Sequence, residues 1–187
     1  MLLRFSMKWL CLLVLQLAST VAMAAFTARP IQILIPERGN VAGYEITEQT
    51  NKYQLIAPPM MEQANVEESI TKLTLKPINS EFLMSLQFTT NYLATTGEKK
   101  LETAQTRIMA RYPQAEILES GITYTGNGAA FFYDILWGED HKLHSKVVVQ
   151  ELEGRICELI FSAGRNEYAA HLGSFGNFLS SFRILRK

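Results

Sequence analysis

The stretch from residue 168 to residue 182 constrains this chain most. Tyr168, Leu172, Phe175, Leu179 and Phe182 recur at steps of four, three, four and three, the spacing that puts side chains on one face of an α-helix. A face this aromatic has to be buried. The surface nearest in sequence that can receive it is the set of apolar stretches just before it. These are residues 129–137, residues 143–152 with Val147, Val148 and Val149, and residues 155–163 after a Glu153-Gly154 turn. The expected fold class is therefore α+β, a central antiparallel β-sheet with helices packed on it.

Upstream, residues 31–35 read as a first strand after a loose lead at 25–30, with a turn at Glu37-Arg38-Gly39-Asn40. Residues 44–47 and 52–57 are the next strands, the second closed by Pro58-Pro59. Residues 60–68 read as a loop or a short helical turn. Residues 69–76 form a strand, and Asn79-Ser80 turns the chain into another at 81–91. There Phe82, Met84, Leu86 and Phe88 alternate as a half-buried strand requires; a helix from Ser80 fits that alternation less well. Thr95-Thr96-Gly97-Glu98 reads as a capping box, with Thr95 accepting the Glu98 amide. Leu101, Ala104, Ile108 and Tyr112 make the buried face of the helix it opens, and Pro113 ends that helix. A strand follows at 115–125. Gly126-Asn127-Gly128 then supplies the positive φ angles of a tight hairpin. The glycines echo a phosphate-cradling loop only superficially, since no helix follows them and no lysine sits where such a loop needs one.

The N-terminus has the form of an export signal. Arg4 and Lys8 precede a short apolar core at residues 9–17, interrupted only by Gln16, and Ala22-Met23-Ala24 is a small-x-small cleavage pattern. Cleavage before Ala25 is expected, removing residues 1–24. An uncleaved anchor is the rival reading, but the apolar run is short of the roughly 20 residues a bilayer span needs. Lipidation at Cys11 is not expected, because Lys8-Trp9-Leu10 rather than small residues precede it. The remaining 163 residues (187 − 24) suit one domain, 25–187, with residues 25–50 set apart as an N-terminal extension. Without residues 1–24 the balance is 16 basic (18 − 2) to 18 acidic side chains. Such a balance favours neither nucleic acid nor an anionic membrane surface.

Cys157 is the one cysteine left after such processing, so an internal disulfide is excluded. Two readings of it stand, a small buried core residue and an intermolecular disulfide. His141 and His144, three apart, would suit a metal on a helix; at a loop–strand junction they point to opposite faces and read as solvated turn residues. His171 flanks the aromatic helix face. Asp134 stands in an apolar strand, either on the sheet's less buried face or paired with Arg155 or Lys146. Phe131, Phe132, Tyr133 and Trp137 read as core. If only one sheet face carried helices, Phe132 and Leu136 would be exposed as a docking patch. There is no Gly-x-Ser-x-Gly elbow and no His-Glu-x-x-His pair, and no catalytic, cofactor-binding or metal-ligating residue is nominated.

Residues 95–185 resemble the PsbP-like fold family. The matching features are the strand bearing Tyr133, the basic entry from His141 to Lys146, the Glu153-Gly154 turn and the apolar strand at 156–163. A helix then runs into Leu179-Ser180-Ser181-Phe182-Arg183-Ile184. The likeness extends more loosely to the strand ending at Pro58-Pro59. Met60-Met61 stands where the family often has tryptophan, and residues 31–50 have no clear counterpart. The resemblance implies an antiparallel sheet with packed helices in a non-catalytic partner-binding or assembly module. Together with the signal, it leads to the expectation of a periplasmic subunit of a cell-envelope complex, without cofactor, nucleic acid or integral membrane segment. A periplasmic carrier of a small ligand or metal is the alternative, and a hydrolase of envelope substrates a third reading.

Overall fold

The computed structural model describes residues 26–35, 39–49, 52–57, 61–62, 72–77, 82–89, 93 and 96–185. The expected export signal lies outside these, as do Glu37, Arg38, Pro58, Pro59, residues 60 and 63–71, Asn79, Ser80 and Thr95. The element order is β1 (Phe26–Ile35), β2 (Gly39–Glu48), β3 (Tyr53–Ala57), β4 (Met61–Glu62), β5 (Lys72–Pro77), β6 (Leu83–Thr89), α1 (Gly97–Arg111), β7 (Glu116–Thr125), β8 (Gly128–Trp137), β9 (Leu143–Leu152), β10 (Arg155–Gly164), α2 (Tyr168–Ser181) and β11 (Arg183–Ile184).

Seven strands form the main sheet in the order β4-β5-β6-β10-β9-β8-β7, and a second sheet has the order β1-β2-β3-β11. Pairing is antiparallel throughout. The expected α+β antiparallel class holds, with a second sheet that the single-sheet expectation missed. That sheet takes in residues set apart as an extension. The loose lead at 25–30 is corrected from Phe26 onward: β1 pairs with β2 from Phe26↔Glu48 to Ile35↔Gly39. Pro30 and the weak alternation around it hid a strand whose order comes from its partner.

Each face of the main sheet carries a helix, and its central strand β10 is buried along nearly its whole length. On one face Ala104 and Ile108 of α1 pack on Tyr133, Ile135, Val147, Val149 and Ile160. On the other, Phe175, Phe178 and Leu179 of α2 join Tyr53 and Leu55 of β3 over Met84, Leu86, Phe88, Val148, Leu159 and Phe161. The alternation of Phe82, Met84, Leu86 and Phe88 toward one face is confirmed by their burial. The condition for a docking patch at Phe132 and Leu136, one sheet face without helices, is not met: α2 occupies that face, Leu136 is buried and Phe132 is half-buried.

The capping box is also corrected. The N-cap of α1 is Thr96, extended at φ −94 and ψ 149, and its side chain makes no capping bond. The Glu153-Gly154 turn has positive φ at both residues, as a two-residue hairpin of the primed type requires. At Gly126-Asn127-Gly128 only Gly128 (φ +110) has that backbone.

Gly126 has a different reason. The Gly126 amide donates to the Leu179 carbonyl at 3.1 Å. A Cβ there would meet the Phe182 carbonyl oxygen at 2.3 Å and the Arg183 guanidinium closer still. Beside it, Asn127 Nδ2 donates to the Phe182 carbonyl at 3.1 Å, and the Ile184 amide donates to Asn127 Oδ1 at 2.8 Å. The β7–β8 turn thus clamps the end of α2 and seats β11 beside β3. Gly126→Ala is expected to destabilise by about 1–3 kcal/mol, the cost of forcing backbone apart in a packed site. Urea unfolding measures this, with faster amide exchange at Ile184 as the local sign.

Candidate docking face

The residues singled out from sequence fall in separate places: Asp134 and His144 share one cluster, while His141, His171 and Cys157 each have other neighbours. Asp134 and Lys146 are cross-strand partners on β8 and β9. Lys146 Nζ donates to Asp134 Oδ2 at 3.0 Å and lies 4.1 Å from the centre of the Phe132 ring. The Tyr168 hydroxyl donates to Asp134 Oδ1. Of the readings of Asp134, pairing with Lys146 holds and the less buried face does not: the residue is 8% exposed beneath α2. Arg155 instead lies over the Phe88 ring.

His144 stacks on Tyr168 with ring centres 3.4 Å apart, and its Nε2 is 3.6 Å from Asp134 Oδ1 and buried without a hydrogen bond. His141 lies in a 3-10 turn (Glu139–His141) with φ +52, its Nδ1 3.6 Å from Glu116. The two histidines therefore have separate partners. Among the described residues no three His, Cys, Asp or Glu side chains gather as a metal would require. His171 stacks on Phe82, ring centres 4.4 Å apart. Cys157 is fully buried, and burial pushes its thiol well above the ordinary value. A buried thiol of this kind is unreactive and has no access to a second chain.

Burial pushes His144 below its ordinary value; Asp134 opposes that shift, while Arg165 and Lys146 add to it. The unfolded chain therefore binds the His144 proton more tightly than the folded one. This contribution to stability is complete above about pH 6.5, the unfolded value. It is lost as pH falls from there through the lower folded value. Relative to His144→Phe, the parent should lose stability over that interval, as urea titrations at stepped pH would read.

The opposite face of the sheet holds the feature that sequence reasoning missed. Register places Lys72, Thr74, Leu83, Ser85, Gln87, Glu158, Ile160 and Ser162 on the α1 side of β5, β6 and β10. α1 packs over β8 and β9, and only its C-terminal end reaches this half of the face. A trough of about 310 Å³ remains, walled by β5, β6 and β10 together with Arg111, Tyr112, Trp137 and Leu143. Leu83 is 37% exposed at its margin.

Beside the trough Glu158, 1% exposed, is held by three side chains. Gln87 Nε2 donates to it at 2.5 Å, Arg111 donates to the same carboxylate oxygen, and Arg107 stands 3.7 Å from the other. Arg107 also donates to Thr89 at 3.1 Å, while its Nε is buried without an acceptor. The Trp137 indole N–H donates to Ser145 Oγ at 2.7 Å, which is bonded in turn to Ser162 Oγ at 2.6 Å. The available signals were Glu158 alone in an apolar run and Arg107 with Arg111 one helical turn apart on α1. Without the sheet register nothing in the sequence joined them.

This is a PsbP-like α+β architecture. The chain is similar to cyanobacterial PsbP (CyanoP) from Synechocystis sp. PCC 6803, at 12% identity and TM-score 0.58, over 88% of this chain and 95% of that one. It is also similar to the Saccharomyces cerevisiae Ran-binding protein Mog1p, at 9% identity and TM-score 0.57, over 76% of this chain and 95% of that one. LpqN, involved in cell envelope biogenesis of Mycobacterium tuberculosis, matches at 14% identity and TM-score 0.51, over 90% of this chain and 96% of that one. At such identities the likeness establishes the fold. No protein-family model and no curated protein sequence matches the chain. No helix among the described residues is long and apolar enough to cross a membrane.

Proposed function

We propose that this protein is a non-catalytic protein-binding or assembly module of the cell envelope. It is exported to the periplasm, processed before Ala25, and works as a single domain over residues 25–187. The partner docks on the half of the main sheet that α1 leaves open. The observation that carries the reading is the trough beside Arg111 and Trp137, where apolar walls and polar groups meet at the surface with Leu83 at the margin. Folded interfaces have this composition, an aromatic and arginine anchor among apolar contacts. Similarity to a Ran-binding protein and to an envelope-biogenesis protein supports the same reading.

A photoreactive side chain at position 83, activated in intact cells, tests it. The expected result is one discrete crosslinked species, absent when the group is placed at Tyr124 on the far edge strand. Crosslinks of equal yield from both positions, or from neither, would reject this face. The carrier reading draws on the same trough, which lies between sheet and helix as a ligand pocket would. A small molecule leaving with the protein in native mass spectrometry would favour it.

A further inference from the structure

We propose that β7 pairs with β7 of a second copy of this chain, joining two main sheets edge to edge. The pairing lies away from the partner site above and does not depend on it. β7 is the last strand of the seven-stranded order, and among the described residues no strand pairs with its outer side. The Ala129 carbonyl accepts Gln150 Nε2 on the β9 side at 2.9 Å. Ala129 and its register partner Tyr124 therefore form a pair without main-chain bonds between them. The backbone groups of Tyr124, and by the same alternation those of Ile122 and Ser120, point outward. Such a row is a template for another strand. Ile122 and Tyr124 are 64% and 71% exposed along it. Residues 119–125 contain neither lysine nor proline, the residues that commonly blunt an edge. A register shift between Ile117 and Glu119 limits pairing to this stretch.

Charge selects the occupant and the register. Glu119, the one charge in the stretch, is exposed at one end. At the other end the exposed Arg183 guanidinium lies beside Gly126 and donates to the Ser180 and Phe182 carbonyls at 2.6 and 3.2 Å. The strand thus carries opposite charges at its two ends, and antiparallel pairing with itself brings them together. A twofold axis at Ile122 sets Ile122 opposite Ile122, Tyr124 opposite Ser120, and Glu119 opposite Thr125 next to Arg183 of the other copy. An axis at Ser120 would instead bring the two Glu119 carboxylates toward each other.

Ile122→Pro tests this directly, because it removes an outward donor and leaves the β8 ladder to Gly121 and Thr123. Sedimentation velocity of the purified protein over a concentration series should show the parent associating reversibly into a dimer. Association should be at least about tenfold weaker in Ile122→Pro, for the loss of two main-chain hydrogen bonds. Ile122→Lys sets like charges across the axis, should also weaken the dimer, and serves if the proline variant does not fold. In a Cys11→Ser background, Ile122→Cys should give a disulfide-linked dimer on mild oxidation. A hydrogen-bonded antiparallel pair holds its Cα atoms about 5.5 Å apart, within the bridging range of about 4.4–6.8 Å. Tyr124→Cys should not bridge, since its two copies sit about 14 Å apart along the strands. In cells a photoreactive group at Tyr124 should link to the chain itself, a species different from the partner adduct sought at position 83. A parent that stays monomeric throughout would overturn the inference, as would a dimer unchanged by both Ile122→Pro and Ile122→Lys. Bridging through Tyr124→Cys rather than Ile122→Cys, or a foreign protein crosslinked at Tyr124, would overturn it too.

Discussion

Phe175→Ala is expected to lower stability by about 4 kcal/mol, within the ~3–5 kcal/mol that removal of a buried aromatic ring costs. Phe175 is fully buried in the middle of α2, with its ring 5.6 Å from Phe161 of the central strand and 5.9 Å from Phe178 of its own helix. The loss has two parts, the apolar area returned to water and the void left between helix and sheet. The void cannot close, because the ends of α2 are fixed. Tyr168 is tied to Asp134 at the start, and the Ser181 hydroxyl accepts the Ile56 amide at 2.9 Å near the end. A typical domain has only ~5–15 kcal/mol in hand, so the urea midpoint should fall by a large fraction. A change below about 0.5 kcal/mol, the size expected of a surface substitution, would mean that α2 does not pack on β10.

The second large effect is at Glu158. Glu158→Ala leaves Arg107 and Arg111 converging on a buried space with no counter-charge. Breaking a buried ion pair from one side costs ~3–5 kcal/mol. The two arginine side chains keep 22% and 35% exposure, so water takes up part of the uncompensated charge and about 3 kcal/mol is expected. The control is a triple variant, Glu158→Leu with Arg107→Leu and Arg111→Leu. Replacing a whole buried ionic cluster by apolar side chains is often neutral or stabilising. Recovery of stability in the triple variant, measured by the same urea titration, would show that the fold does not require these charges. Their position beside the trough then points to recognition rather than to holding the sheet together.

Much of the architecture was legible because its strongest signals are local. The steps linking Tyr168, Phe175 and Leu179 predicted the buried face of α2; Phe178, also buried, widened that face, and Phe182 proved to be its C-cap. The alternation from Phe82 to Phe88 predicted β6, and Glu153-Gly154 predicted the β9–β10 turn. Two failures were local, the capping box and the lead that became β1; the larger ones share one physical origin, pairing over long sequence distances. The four-stranded sheet joins residues 26–57 to Arg183 and Ile184, and no local pattern specifies such a closure. Gly126 was read as a source of backbone freedom, whereas it is required by the close approach of a segment more than fifty residues away. The trough was illegible for the same reason: Lys72, Gln87, Arg111, Trp137 and Glu158 lie on five separate elements and come together only once the register is set. The candidates that were legible, His141, His144 and Asp134, stood out by residue type; Asp134 pairs with Lys146, His144 stacks on Tyr168 and His141 lies near Glu116.

The account stands or falls on whether the half-sheet beside α1 is covered in the cell. Leu83→Cys in a Cys11→Ser background supplies the most direct measurement, since the remaining native thiol, Cys157, is buried in the folded chain. Labelling at position 83 should be fast and complete in the purified protein and strongly protected in intact envelopes, with protection lost when the envelope is solubilised. Equal labelling of position 83 in the purified protein and in the intact envelope would contradict it.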